Sequence, residues 1–122
     1  GAAVYYHQQG IPLILQLAIK GGEEMEIKKT KNGTALTLAI VGRIDTTTAP
    51  QLELELKADI DGVTCLQLDF SEVEYISSAG LRVLLSAQKS MSHQGTMALS
   101  HVNEAVMEVF EVTGFVDILT IE

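Results

Sequence analysis

The chain reads as one α/β domain: a mixed central β-sheet of four to five strands with helices packed against it, preceded by an N-terminal strand-like extension. Three observations predict this. Its 122 residues suit one domain. Its hydrophobic content of 47% is enough to build a core. Runs in which apolar and polar residues alternate take turns with runs at helical spacing, and strands alternating with helices imply a sheet with helices laid on it. Crossovers of that kind are right-handed in nearly all cases.

Residues 1–24 stand apart as an extension, an extra strand or an expression remnant, and residues 25–122 form the domain proper. Within the extension Ile11, Leu13, Leu15, Leu17 and Ile19 alternate with Pro12, Ile14, Gln16, Ala18 and Lys20, a strand pattern whose early proline suggests an edge. Its apolar part is too short to span a bilayer, and it lacks the basic start of a signal peptide. Gly21-Gly22 then breaks the chain. Met25 to Thr30 reads as a short strand, and Asn32-Gly33 as a hairpin turn, since both residues tolerate positive φ. Ala35 to Ile44 returns as a second strand with Leu36, Leu38 and Ile40 on one face.

The next segment has two periods. Leu52, Leu54 and Leu56 alternate with Glu53 and Glu55 as in a strand, while Ala49, Leu52, Leu56 and Ile60 fit a helix face. Thr48-Ala49-Pro50-Gln51 has the spacing of a capping box, and proline suits a first turn. As a helix, the segment would turn Leu54 outward as a candidate contact residue. Asp61-Gly62 ends it. In the third strand Leu66, Leu68 and Phe70 alternate with Gln67 and Asp69. A polar turn ending in Ser77-Ser78 follows, and Leu81, Leu84 and Leu85 then recur at helical spacing, with Gln88 and Lys89 polar. Gln94-Gly95 is a turn and Thr96 to Ser100 the fourth strand. Asn103 caps a third helix whose face is Val106, Val109 and Phe110, with Val102. Thr113-Gly114-Phe115 reads as a glycine C-cap followed by a hydrophobic contact. Residues 117–121 read as a last short strand.

Lys and Arg number 8 and Asp and Glu 16, a formal net charge of −8. That argues against a nucleic-acid binder, which normally carries a basic face. The single cysteine, Cys65, can form no internal disulfide and reads as a buried strand residue acting as a small hydrophobe. Its lone presence fits a reducing cytoplasm. His7, His93 and His101 are scattered, and no Cys/His spacing suggests a metal site. There is no Walker loop, no Rossmann glycine motif and no catalytic triad order, so no catalytic residue, metal or cofactor is expected. Asp45, Asp69 and Ser78 imitate an active site, but no base stands near Ser78.

Serines before a helix are good N-caps, because a hydroxyl accepts a hydrogen bond from a free amide of the first turn. Ser77 and Ser78 fit that role. The stretch around them also resembles the signature of STAS domains of the anti-sigma-factor antagonist family, which runs strand, Asp-x-Ser, then aromatic-Ile-Asp/Ser-Ser-Ser/Ala-Gly-Leu, then helix. Here it reads Leu68-Asp69-Phe70-Ser71 and Tyr75-Ile76-Ser77-Ser78-Ala79-Gly80-Leu81. Gly42-Arg43-Ile44-Asp45 is similar to the family's Gly-x-Leu/Ile-Asp. The resemblance covers Met25 to Glu122 and selects the helix for the segment with two periods.

The resemblance implies the STAS fold and a binding protein rather than an enzyme, with Ser78, two residues before Gly80, as the phosphorylated residue and Ser77 as the second choice. Many members carry Asp directly before that serine, where this chain has Ser77. Asp45, Thr46, Ser77, Ser78, Ala79, Gly80 and Leu81 would form the partner surface. The implied partners are an anti-sigma factor that is also a serine kinase, bound in the dephosphorylated state, and a serine phosphatase. Neither nucleic acid nor membrane is implied, and the place is the cytoplasm. The alternative is a STAS module of a transport system, or one that binds a nucleotide or lipid. The apolar face of Ile11 to Ile19 would favour burial, on its own domain or, the reading preferred here, on a neighbouring copy, which gives a homodimer through the N-terminal extension.

Overall fold

The computed structural model describes residues 25–122. The extra strand and the homodimer contact expected within residues 1–24 lie outside the described residues. Four strands, β1 (Met25–Asn32), β2 (Ala35–Ile44), β3 (Cys65–Ile76) and β4 (Thr96–Ser100), form one sheet in that order. Helices α1 (Ala49–Asp59), α2 (Ser78–Ser92) and α3 (Glu104–Thr113) follow β2, β3 and β4. The sheet is mixed because its connections differ. A two-residue loop returns β1 into β2 antiparallel, whereas α1 and α2 carry the chain back across the sheet, so β2, β3 and β4 run parallel.

The core lies on the face where apolar residues line up across the strands. Leu36, Leu66 and Met97 form one row and Leu38, Leu68 and Leu99 the next, all buried. Burying side chains of this size contributes about 1.5–3 kcal/mol each. Helix α2 closes over this face with Leu81, Leu84, Ala87 and Met91. Phe110 of α3 brings its ring centroid to 6.4 Å from that of Phe70. Helix α1 buries Ala49, Leu52 and Leu56 and turns Leu54 to solvent, as its helical period requires. Lys29 of β1 meets the carboxylates of Glu55 and Asp59, which ties the first strand to α1. Burial pulls the Lys29 ammonium down, but the two acids outweigh it and hold its pKa above the ordinary value.

Several sequence expectations hold to the residue. β4 spans Thr96–Ser100, Asn103 accepts the Val106 amide at 2.8 Å, and Gly114 ends α3 in the left-handed region with φ 82°. Others need correction. The hairpin turn is Gly33-Thr34: Asn32 is the last residue of β1, paired with Ala35, and Gly33 alone takes positive φ, 65°. Cys65 is exposed, because it shares the parity of Gln67 and Asp69 rather than that of Leu66 and Leu68. Residues 117–121 form no strand. Phe115–Asp117 is a 3-10 turn, and only Ile121 bridges to Leu99.

The largest correction concerns the polar turn after Phe70. It is strand: β3 runs on to Ile76. The register explains the misreading. Ala39 pairs with Asp69 but Val41 with Glu72, and Gly42 pairs with Val73 but Arg43 with Tyr75, so β3 carries an extra residue at two places. Each extra residue resets the alternation of faces. Phe70, Val73 and Ile76, three apart, therefore all point into the core.

Candidate functional site

The carboxyl ends of β2 and β3 deliver the site. Ile44 pairs with Ile76, and the Ile44 carbonyl accepts the Ser77 amide at 2.8 Å. Asp45, which follows Ile44, is thereby brought to the end of the sheet where α2 begins. The two chains approach so closely that a Cβ on Gly80 would stand 2.7 Å from Ile44 Cγ2 and 2.7 Å from Ile76 Cγ1. Only glycine fits there without displacing both side chains.

The two serines divide the work. Ser77 is extended, with φ −101° and ψ 177°, and its Oγ accepts the Gly80 amide at 3.5 Å, so it is the N-cap. Ser78 is the first helical residue, exposed, and within the described residues its hydroxyl makes no hydrogen bond. Ala79 is half-buried against the core, and Gly80 and Leu81 are buried. Gly80 and Leu81 hold the turn in place, Thr46 and Ser78 are exposed, and Asp45, Ser77 and Ala79 are half-buried.

Asp45 is built into a cap of its own. Its Oδ1 accepts the amides of Thr47 at 2.9 Å and Thr48 at 3.1 Å, while its own amide donates to Thr48 Oγ1 at 2.9 Å. That hydroxyl donates to the Arg43 carbonyl at 2.7 Å. This is a reciprocal box one turn earlier than the spacing of Thr48 and Gln51 implies. Thr48 makes no cap bond to α1, and Gln51 reaches the Met25 carbonyl instead. Desolvation raises the Asp45 pKa, but the Thr48 and Thr47 amides, the Thr48 hydroxyl and Arg43 outweigh it and hold the carboxyl below its ordinary value.

Asp69 does not join the serines. Six residues of strand lie between it and Ile76, a rise of roughly 20 Å at about 3.3 Å per step. Its carboxylate accepts the Ser71 amide at 2.9 Å and faces His101 Nδ1 at 3.2 Å. The Ser71 amide is the main reason its pKa lies below the ordinary value; desolvation opposes this, and Ser71's side chain and His101 add to it. The resemblance of Asp45, Asp69 and Ser78 to an active site is thus one of sequence alone. Among the described residues no cluster of His, Cys, Asp and Glu could hold a metal ion, and no helix is long and apolar enough to cross a membrane.

Two neighbours of the serine turn escaped the sequence. The Arg43 guanidinium lies over the Tyr75 ring, 4.5 Å from its centroid, and both residues are exposed. The Gly-x-Ile-Asp and aromatic-Ile patterns contain both residues, but nothing in the spacing says that they stack. Arg82 is the other: it stands exposed one turn into α2.

Comparison with known proteins bears on this arrangement. The STAS domain model matches residues 26–122. The BtrV protein of Bordetella bronchiseptica, named as a candidate anti-sigma factor antagonist, is 37% identical over 99 residues, covering 80% of this chain and 85% of its own length. The anti-sigma-B factor antagonist of Listeria monocytogenes is 33% identical over 101 residues, covering 80% and 87%. In structure, an anti-sigma factor antagonist from Mycobacterium paratuberculosis superposes with a TM-score of 0.75 at 22% identity, covering 81% of this chain and 86% of that one.

Proposed function

This chain belongs to the STAS domain family, and we propose that it acts there as an anti-sigma-factor antagonist in a partner switch governed by phosphorylation of Ser78. Dephosphorylated, it binds an anti-sigma factor that is also a serine kinase, and so frees a sigma factor. The kinase transfers the γ-phosphoryl group of ATP to Ser78 Oγ; the oxygen–phosphorus bond forms, ADP leaves and the hydroxyl proton is lost. A serine phosphatase restores the hydroxyl. The chain's own role is binding rather than catalysis, in the cytoplasm.

One observation carries this reading. Ser77 spends its hydroxyl on the helix cap, which leaves Ser78 exposed at a turn held rigid by Gly80 and Ile44. A kinase needs a reachable hydroxyl, and a partner needs a surface that does not move. Phosphate adds about −1.5 to −2 charges there, and the contact loosens through like charge and desolvation. The names of the relatives in Bordetella and Listeria support the role.

The test is incubation with ATP and the anti-sigma factor kinase that the protein binds, with the site mapped by mass spectrometry. Ser78→Ala abolishes phosphorylation and leaves binding intact. Ser78→Asp weakens binding in titration calorimetry without lowering the melting temperature, because an acid is compatible with a helix N-terminus. Loss of the phosphate in Ser77→Ala alone would overturn the assignment.

A further inference from the structure

The charge around Ser78 is uneven in a way that the net charge of −8 conceals. Helix α2 has fifteen residues, SAGLRVLLSAQKSMS, with two cations, Arg82 and Lys89, and no carboxylate. Three cations of the described residues are matched: Lys29 with Glu55 and Asp59, Arg43 with Asp45, Lys57 with Glu53. Arg82 meets no acid among the described residues. Its place matters, because it stands four residues after Ser78. Residues four apart on a helix share a face, with Cβ atoms about 5–6 Å apart. Long helical side chains also lean toward the helix N-terminus, which carries a guanidinium at position 82 back over the turn that Ser78 opens. Both residues are exposed, so nothing stands between them and solvent.

We infer that Arg82 is the intramolecular acceptor of a phosphate on Ser78: modification closes a phosphate–guanidinium latch across the first turn of α2 and withdraws this cation from the surface offered to the partner. The inference rests on the reading of Ser78 as the modified residue and adds what the phosphate does within the chain. The guanidinium suits this role because its fork of donors matches phosphate oxygens, and such charge-assisted bonds are the strong ones. Arg43 is the competing cation at this end of the sheet, but it is already committed to the Tyr75 ring and Asp45. The latch makes the switch more than a point of repulsion. The phosphorylated turn differs from the free one in both its anion and its cation.

The test needs no kinase. Phosphoserine is placed at position 78 of the full chain by genetic encoding, and the phosphate's second ionisation, ordinarily near pH 6, is followed by phosphorus NMR. A guanidinium in contact favours the dianion and lowers that pKa. Arg82→Gln is expected to raise it by about 0.3–0.5 unit, Arg82→Lys to restore most of the difference as a point charge, and Arg43→Gln to leave it unchanged. An unchanged titration in Arg82→Gln, or a larger shift in Arg43→Gln, overturns the latch. Because the phosphate is installed directly, that failure leaves the partner switch untouched. Failure of the kinase to modify Ser78 overturns the switch and leaves the titration standing.

Discussion

Helices α1 and α2 start beside each other at the carboxyl ends of β2 and β3, and they solve the same problem in opposite ways. Every helix begins with amides that have no partner within it. At α1 the answer is local and closed. The Asp45 carbonyl accepts the Ala49 amide at 2.8 Å, its carboxylate holds the Thr47 and Thr48 amides just ahead of the helix, Thr48 returns a bond to the Asp45 amide, and the Thr48 hydroxyl is buried against the Arg43 carbonyl. At α2 the local answer is weak: one cap bond of 3.5 Å from Ser77. What fixes α2 is tertiary, the seating of Gly80 against Ile44 and Ile76 and the bond from the Ser77 amide to the Ile44 carbonyl. A turn held from below leaves its own polar atoms free above. The difference explains why a hydroxyl is available at Ser78 and none is available at Thr48.

The largest expected effect tests the seating. Gly80→Val places carbon where Ile44 and Ile76 stand, and overpacking of this kind costs about 2–3 kcal/mol. Urea denaturation reads it as a lower midpoint with unchanged slope. A variant as stable as the parent would mean that α2 is not held by this contact.

Next comes the closed start. Thr48→Val keeps the shape and removes the hydroxyl that bridges the Arg43 carbonyl and the Asp45 amide, leaving both short of a partner, for about 1–2 kcal/mol. Ser77→Ala should cost less, about 0.5 kcal/mol, because its cap bond is long and the seating remains. If Ser77→Ala proves the more damaging, the contrast between the two starts is reversed.

The smallest effect is one of pH. The Asp45 carboxyl lies below its ordinary pKa in the fold, so its contribution is present above the unfolded value near 4 and is lost as pH falls through the folded value. The stability difference between the parent and Asp45→Asn should therefore narrow between pH 6 and pH 3. A difference that is flat over that range would show that the Thr47 and Thr48 amides do not depend on the charge.

Legibility followed the range of the forces. Asn103 announced its helix because a cap bond joins residues three apart, and β4 announced itself because Met97 and Leu99 keep a period of two. The second half of β3 misled because Phe70, Val73 and Ile76 recur every third residue, which is the period of neither strand nor helix. Thr48 misled by position: its spacing to Gln51 was that of a cap, but its hydroxyl is taken up by the Asp45 amide and the Arg43 carbonyl.

By itself the sequence determined the order of the four strands and three helices from residue 25 on, most of their packing faces, the ends of α3 and the motif that ties the chain to its family, while the last strand it suggested at residues 117–121 does not form. These depend on neighbours within a few residues, so the order of residues is enough to specify them. Tertiary structure alone decided that β3 continues through two bulges, that Gly80 has no room for a side chain, and which of two adjacent serines is spent as a cap. Each of these depends on where β2 lies against β3 and α2. A register between strands some thirty residues apart is set by the packing of the whole core, and no local run of residues records it.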